Sequence, residues 1–364
     1  MSWLLVFLGF CLLIMLHEAG HYVAAKATGM RVERFFLFFG PTIWSFKRGE
    51  TEYGVKSIPV GGYVKISGMN PEEELPPGEE HRAYNKQKVW KRIVVVAAGP
   101  AVNIVLAFVI LYFVFAVGGL REIDQSVGSI KGGSPAAQVL QTGDEIAAID
   151  GRAYAGLETE ERLEKFGKLV ASHECAGQQV EGCQAQTPVQ LTIRKDGVTR
   201  TVAVTPRYDK AVGRALIGFS YGGGFVPISG SEAVDHAADS MWLVVSRTAS
   251  VFARIFETEQ REQISGIVGT SDVGHTAIEE GWRQALLLLA LVSLSLGVIN
   301  LLPILPLDGG HIFWAIIEKL RGAPVSMRVM ERASFIGFAL VAMLFFIGLS
   351  NDIGRITGEG FTNR

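Results

Sequence analysis

The stretch Trp3-Leu4-Leu5-Val6-Phe7-Leu8-Gly9-Phe10-Cys11-Leu12-Leu13-Ile14-Met15-Leu16-His17-Glu18-Ala19-Gly20-His21-Tyr22 runs apolar to Leu16 and then carries His-Glu-x-x-His. A charged group at the centre of a bilayer costs about 2.5–3.5 kcal/mol on insertion scales, so ionisable residues in a lipid-length helix are retained for a use. Positions i and i+4 share one face of a helix, which lets His17 and His21 bind a single zinc ion. Glu18, one position round, is then placed to take a proton from water on that metal. A cleaved secretory signal is the competing interpretation. Against it, no Lys or Arg precedes the apolar run, the first being Lys26, and the His-Glu-Ala-Gly-His cluster sits in the would-be cleavage zone.

Of the 364 residues, 49% are hydrophobic and 19% charged, too apolar a balance for one soluble domain of this length. Four stretches approach the roughly 20 residues that a spanning helix needs: 3–25, 93–120, 285–302 and 333–350. The net charge of −2 gives no sign of a nucleic-acid partner. Basic loops stay cytoplasmic. Residues 26–92 hold twelve basic and eight acidic residues, and 318–332 hold Lys319, Arg321, Arg328 and Arg332 against Glu318 and Glu331. Residues 121–283 hold sixteen basic and twenty-two acidic. This predicts both termini and 121–283 outside, with 26–92 and 318–332 inside.

A catalytic zinc takes three protein ligands and keeps one position open. The candidate third ligand is Asp308, in Asn300-Leu301-Leu302-Pro303-Ile304-Leu305-Pro306-Leu307-Asp308-Gly309-Gly310. The two prolines end the preceding helix, and unwound backbone at membrane depth is tolerated only inside protein or beside a wet cavity. On the predicted topology the first and third spans run the same way, which brings His17, His21 and Asp308 to one depth near the cytoplasmic side. The alternatives are that Asp308 only caps the helix that follows and that Asn300 only bonds a neighbouring helix.

With both motifs on the third and first spans, the chain resembles the site-2 proteases, intramembrane zinc metalloproteases, and within them the bacterial RseP-like branch. Further matching segments are Phe38-Phe39-Gly40-Pro41, Pro59-Val60-Gly61-Gly62-Tyr63-Val64-Lys65 and Ala98-Gly99-Pro100-Ala101-Val102-Asn103. The resemblance implies one Zn2+ per chain held by His17, His21 and Asp308, with Glu18 as base and acid and Asn300 aiding catalysis. It further implies a membrane-associated β-hairpin at 52–67, where Gly61, Gly62, Tyr63 and Val64, with Asn103, meet a substrate unwound into an added strand. A structural lid is the alternative for the hairpin, and simple packing for Asn103.

Residues 126–221 resemble a PDZ domain, with turns at Gly132-Gly133 and Asp150-Gly151, a helix near 158–171, and strands 189–194 and 199–205 joined at Asp196-Gly197. The resemblance implies peptide or protein segments as ligands there; a spacer is the alternative. Cys175 and Cys183 are candidates for a disulfide in this outside domain, with zinc binding beside His173 as the alternative; Cys11 stands apart. Residues 232–258 read as an amphipathic helix with apolar Val234, Ala238, Met241, Trp242, Val245, Ala249, Phe252 and Phe256, lying on the outer membrane face or against the PDZ-like domain. The Gly-, Ser- and Thr-rich 265–277 and the polar 71–81 read as loops.

The expected fold is thus a polytopic α-helical membrane protein with four transmembrane helices, a cytoplasmic-side membrane-associated β-hairpin and an inserted extracytoplasmic α+β PDZ-like domain. The membrane core is divided between 1–120 and 283–364. The expected activity is zinc-dependent endoproteolysis of the membrane spans of single-span proteins, anti-sigma factors or remnant signal peptides among them, in the bilayer of a bacterial inner membrane. The alternatives are a membrane PDZ scaffold with a structural metal, against which Glu18 argues, and a metal transporter, for which the second span offers only Asn103 as a polar residue.

Overall fold

The computed structural model describes residues 2–69, 78–153, 159–210, 212–254, 257 and 266–354. The chain folds as two compact units: Met1–Val117 with Ser229–Asn363, and the inserted Gly118–Ile228. Parts of two expected segments, most of the 71–81 loop and Phe256, lie outside the described residues, as do Glu158 and Ser265.

Helix α1 (Ser2–Ala27) opens the first unit. Its apolar side chains Trp3, Leu4, Leu5, Phe7, Leu8, Leu12 and Met15 face outward, while Leu13, His17, Gly20 and Ala25 are buried. An apolar exterior is stable where the surrounding solvent is lipid, and this helix is long and apolar enough to cross a membrane.

Strands β1 (Val32–Arg48) and β2 (Thr51–Ile66) follow as an antiparallel pair. The sheet therefore begins well before residue 52, and the expected hairpin is only its second arm. Register shifts double the pair back on itself, so that Phe35 lies opposite both Val64 and Tyr53, and Leu37 opposite both Gly62 and Val55. The aromatic run 35–39 hides β1 from a strict period-2 reading, because the strand is flanked on both edges and keeps apolar residues on both faces.

The base of this sheet is fastened to the helices. Ala25, Met30, Val32, Ile66, Tyr84, Val95 and Val96 form one apolar cluster. At the turn, Glu50 accepts two bonds from Arg82, at 2.7 and 2.8 Å, and a third contact from Lys26. The hydrogen bonds from Arg82, the largest influence, together with Lys26 hold the Glu50 carboxyl down at about 2 against the opposing effect of burial. Helix α2 (Val89–Gly118) buries Val96, Pro100, Asn103, Ala107, Leu111 and Val114, three or four residues apart along one face.

The second unit is an α+β domain. Its strands are β3 (Leu120–Ile130), β4 (Glu145–Ile149), β5 (Arg152–Ala153), β6 (Val189–Lys195), β7 (Val198–Val204), β8 (Arg207–Asp209), β9 (Arg214–Leu216) and β10 (Phe219–Val226), with helix α3 (Thr159–Ala171) after β5. The main sheet runs β10-β3-β4-β6-β7, with β5 on β4. Along β6, Val189, Leu191 and Ile193 are fully buried, while Gln190 between them and Arg194 after them are exposed. These residues join Val127, Ile146, Ile149, Phe166 and Val204 in one core. A disulfide links Cys175 and Cys183, whose Cα atoms are 6.1 Å apart.

Back in the first unit, α4 (Gly230–Ala253) starts at a capping box in which Ser229 and Glu232 satisfy each other's backbone N–H groups. Its buried face is the expected one only in part: Met241 and Val245 pack inward, while Ala238 and Ala249 are exposed. Ala233 and Ala237 are fully buried, and Ala237, Met241, Val244 and Val245 pack with Ala107 and Leu111 of α2 and with Ala290 and Leu294, whereas Val234 and Trp242 are exposed. Small residues won the packed face because they let the helix lie close against its neighbours.

Residues 267–280 overturn the loop expected there: they form helix α5 (Ile267–Glu280). Poor local propensity is overcome by a distant cap. The fully buried Asp352 carboxylate accepts from the backbone N–H groups of Gly266 and Gly269, at 3.0 and 2.9 Å, at the positive end of the helix. Helix α6 (Trp282–Asn300) then stops three residues before Pro303, the first of two prolines, residues 301–307 are non-helical, and α7 (Asp308–Arg321) and α8 (Met327–Gly354) complete the unit. Gly309 and Gly310 lie so close to the backbone of 301–305 that a Cβ at either would come within about 2.5 Å of it. Among the described residues, four helices, α1, α2, α6 and α8, are long and apolar enough to cross a membrane.

Candidate metal centre

The spacing His17–His21 does what helical geometry requires: both imidazoles leave the same face of α1, with their Nε2 atoms 3.3 Å apart. The folding of α7 under α6 brings in Asp308, whose Oδ2 is 3.1 Å from His17 Nε2 and 3.4 Å from His21 Nε2. A tetrahedral zinc with bonds of about 2.0–2.2 Å holds its ligand atoms roughly 3.3–3.6 Å apart. Two of the observed separations fall in that range and the third, 3.1 Å, lies about 0.2 Å below it; two imidazoles with one carboxylate are a donor set suited to zinc. Asp308 begins α7 but its side chain does not cap the helix. Its carboxylate is directed to the two histidines instead.

The rings are oriented from behind. His21 Nδ1 lies 2.9 Å from the carbonyl oxygen of Val95. A carbonyl only accepts, so Nδ1 carries the proton and Nε2 presents its lone pair to the centre. A Cβ at Gly99 would come within 2.3 Å of His21 Nε2, so α2 can approach the imidazole only without a side chain there. His17 Nδ1 faces the Asn103 side chain at 3.3 Å.

A cavity of about 400 Å³ opens in front of these groups. His17, Glu18, His21 and Asp308 line one side, and residues 61–64 of β2 line another, with Asn300 and Pro306 also in its wall. At Gly62 an added Cβ would fall 2.3 Å from Glu18 Cγ, so the strand backbone rests directly against the glutamate. Residues 62–64 pair with β1 on one edge, and no strand among the described residues pairs with the other.

Of the site residues expected from sequence, the structure brings together His17, Glu18, His21, Asp308, Asn300, Gly61, Gly62, Tyr63 and Val64 around this cavity. Asn103 differs: it is fully buried, off the cavity wall and behind His17, because it lies on the face of α2 that packs inward. His311 was missed. It also lines the cavity, and the signal for it was its position three residues after Asp308, hence on the same face of α7.

The profile of peptidase family M50 matches residues 5–344. The chain is 32% identical to the zinc metalloprotease Rip1 of Mycolicibacterium smegmatis, over 93% of this chain and 94% of that one. It is 31% identical to Rip1 of Mycobacterium tuberculosis with the same coverage, and 28% identical to a putative zinc metalloprotease of Nostoc sp. over 95% and 94%. A solved PDZ domain of an SdrC-like protein from Listeria monocytogenes is 23% identical and covers 28% of this chain and 90% of its own, at a TM-score of 0.20, too low to carry the fold of the second unit. A largely buried His-His-Asp cluster beside a glutamate, on helices fit for a membrane and within a family match spanning nearly the whole chain, makes this protein a member of peptidase family M50, the site-2 proteases, and a zinc-dependent metalloendopeptidase.

Proposed function

We propose that this chain cleaves peptide bonds inside the membrane spans of single-span proteins, with zinc held by His17, His21 and Asp308. The observation that carries this reading is the convergence of those three groups and Glu18 on a cavity whose other side is the edge of a β-strand. When bound, zinc polarises the scissile carbonyl and makes its water acidic enough to lose a proton near neutral pH. Glu18 takes that proton and returns it to the departing amine. Asn300, in the cavity wall, holds the substrate strand or donates to its carbonyl oxygen.

A helical peptide bond is protected by its own hydrogen-bond ladder. Strand addition along residues 61–64 removes that protection and lays the bond across Glu18. The close approach of Gly62 to Glu18 supports this placement. The Lys and Arg distribution supports a cytoplasmic β1–β2 sheet and an extracytoplasmic second unit, in the inner membrane of a bacterium. The second unit acts as a PDZ-like module that admits or holds substrate segments. The position of β10 at the edge of its sheet supports peptide binding there by strand addition.

The test is Glu18→Gln in the full chain, co-expressed with a tagged single-span substrate. The variant keeps its zinc and loses cleavage by about 10²–10⁴-fold, the usual worth of a positioned base. Undiminished cleavage by Glu18→Gln sinks the mechanism. Trapping with the same variant, followed by mass spectrometry, identifies the substrates.

A further inference from the structure

We propose that Asn103 is a positioning residue for the metal: its side-chain amide holds the His17 ring in the tautomer that offers Nε2 to zinc. The proposal rests on the assignment of His17 as a ligand and concerns the group behind that ligand.

The two histidines are supported differently. His21 has a backbone carbonyl at Nδ1, which can only accept. His17 has an amide, which can either donate or accept. As the groups stand, Asn103 Nδ2 lies 3.3 Å from His17 Nδ1. Nδ2 donates, so Nδ1 accepts, and the ring proton sits on Nε2, which bonds to Asp308 Oδ2 at 3.1 Å. In that tautomer Nε2 has no lone pair for a metal.

Zinc on Nε2 puts the ring proton on Nδ1, where it would face a second donor. Half a turn of the amide removes the clash. It brings Oδ1 to Nδ1–H, and Oδ1 is the atom of Asn103 that is buried without a hydrogen-bond partner. The oxygen and nitrogen of an amide are nearly equal in size, so the turn needs no repacking.

The backbone under this amide is held firmly. Ser293 Oγ of α6 donates to the Asn103 carbonyl oxygen at 2.9 Å, with both residues fully buried. Gly297 allows α6 to pack directly beside Asn103 Cβ. In either orientation one amide atom is left unpaired, which is unfavourable for folding. The residue is therefore explained by what it does to His17, and not by stability.

The purified full chain in detergent provides the test, with zinc affinity measured by competition against a chromophoric chelator. Asn103→Leu keeps the volume and removes the acceptor. It lowers zinc affinity by about 10–100-fold while its thermal stability is unchanged or higher, and it alters the visible spectrum of the Co2+-substituted protein. Asn103→Asp restores an acceptor of the same shape and returns both affinity and spectrum to the parent values. Parent-like zinc affinity in Asn103→Leu overturns the proposal, as does an Asn103→Asp variant as impaired as Asn103→Leu. His17→Ala separates the two levels: if it retains zinc, the ligand assignment itself fails, whereas zinc loss in His17→Ala with none in Asn103→Leu removes only the role of Asn103.

Discussion

Helix α1 and strand β6 are built by opposite rules. On β6 the buried side chains are Val189, Leu191 and Ile193, and the polar residues face out. On α1 the outward residues are Trp3, Leu8 and Leu12, and one of the few buried side chains is the imidazole of His17. Both follow from one rule, that a side chain is matched to the medium it faces. The unit that holds β6 has a polar exterior suited to water, so apolar burial supplies stability. Lipid suits the exterior of α1, so a buried polar group there stabilises little and marks chemistry. Burial therefore means different things in the two units.

His17→Leu tests that difference most severely. It makes α1 more apolar, so the chain still enters the membrane, but zinc is lost and cleavage falls by at least about 10³-fold, as expected when several kcal/mol of metal-derived stabilisation disappears. Metal analysis of the purified variant and a substrate-cleavage assay measure both. Retained zinc would return His17 to the status of a packing residue.

Ile193→Ala is the converse. It lies wholly buried in the second unit and costs about 2–5 kcal/mol of that unit's stability. Hydrogen exchange should show loss of protection confined to 118–228, with the zinc content of the protein unchanged. Protection lost equally from α1 would erase the contrast.

Gly62→Val probes the point where a strand meets the site. Its Cβ would collide with Glu18, so the side chain must shift by about an ångström, which lowers the cleavage rate by about 10–100-fold. Zinc content should stay at the parent level, since the three atoms nearest to that Cβ all belong to Glu18.

The smallest effect belongs to Glu50. Its carboxyl is held down at about 2 from an ordinary value of 4.5. A depressed carboxyl stabilises the fold above its unfolded value and ceases to do so as pH falls through its folded value. Protection of the β1–β2 sheet from proteolysis should stay level from pH 7 to near 4.5 and then decline towards pH 2. Glu50→Gln, which leaves Arg82 and Lys26 without a charged partner, costs about 1 kcal/mol at pH 7 and flattens that decline.

Much of this was legible without coordinates. The four spans were visible because twenty apolar residues in a row have few other uses. His17, Glu18 and His21 were visible because one helix carries them all. The strands β6 and β7 were visible from alternation and from Asp196-Gly197 between them. Features that depend on a partner far along the chain were not visible. Helix α5 looked like a loop because its cap, Asp352, lies more than eighty residues away. Strand β1 lost its alternation by gaining a neighbour on each edge. The packed face of α4 is set by α2 and α6, and its own apolar periodicity found Met241 and Val245 but not the buried Ala233 and Ala237. His311 and the inward turn of Asn103 needed the cavity and the packing of α2 to be seen.

Residue chemistry and spacing by themselves pointed to the candidate metal-binding motif, the four long apolar helices and an inserted second unit, because these are local or compositional properties of a chain choosing between water and lipid. Only the tertiary structure decided that Asp308 Oδ2 reaches both imidazoles, that Gly62 lies against Glu18, and that His17 is supported by an amide where His21 has a carbonyl. The reason is geometric. Separations of 3.1 to 3.4 Å between atoms up to 291 residues apart are set by how helices pack, and no local preference encodes them.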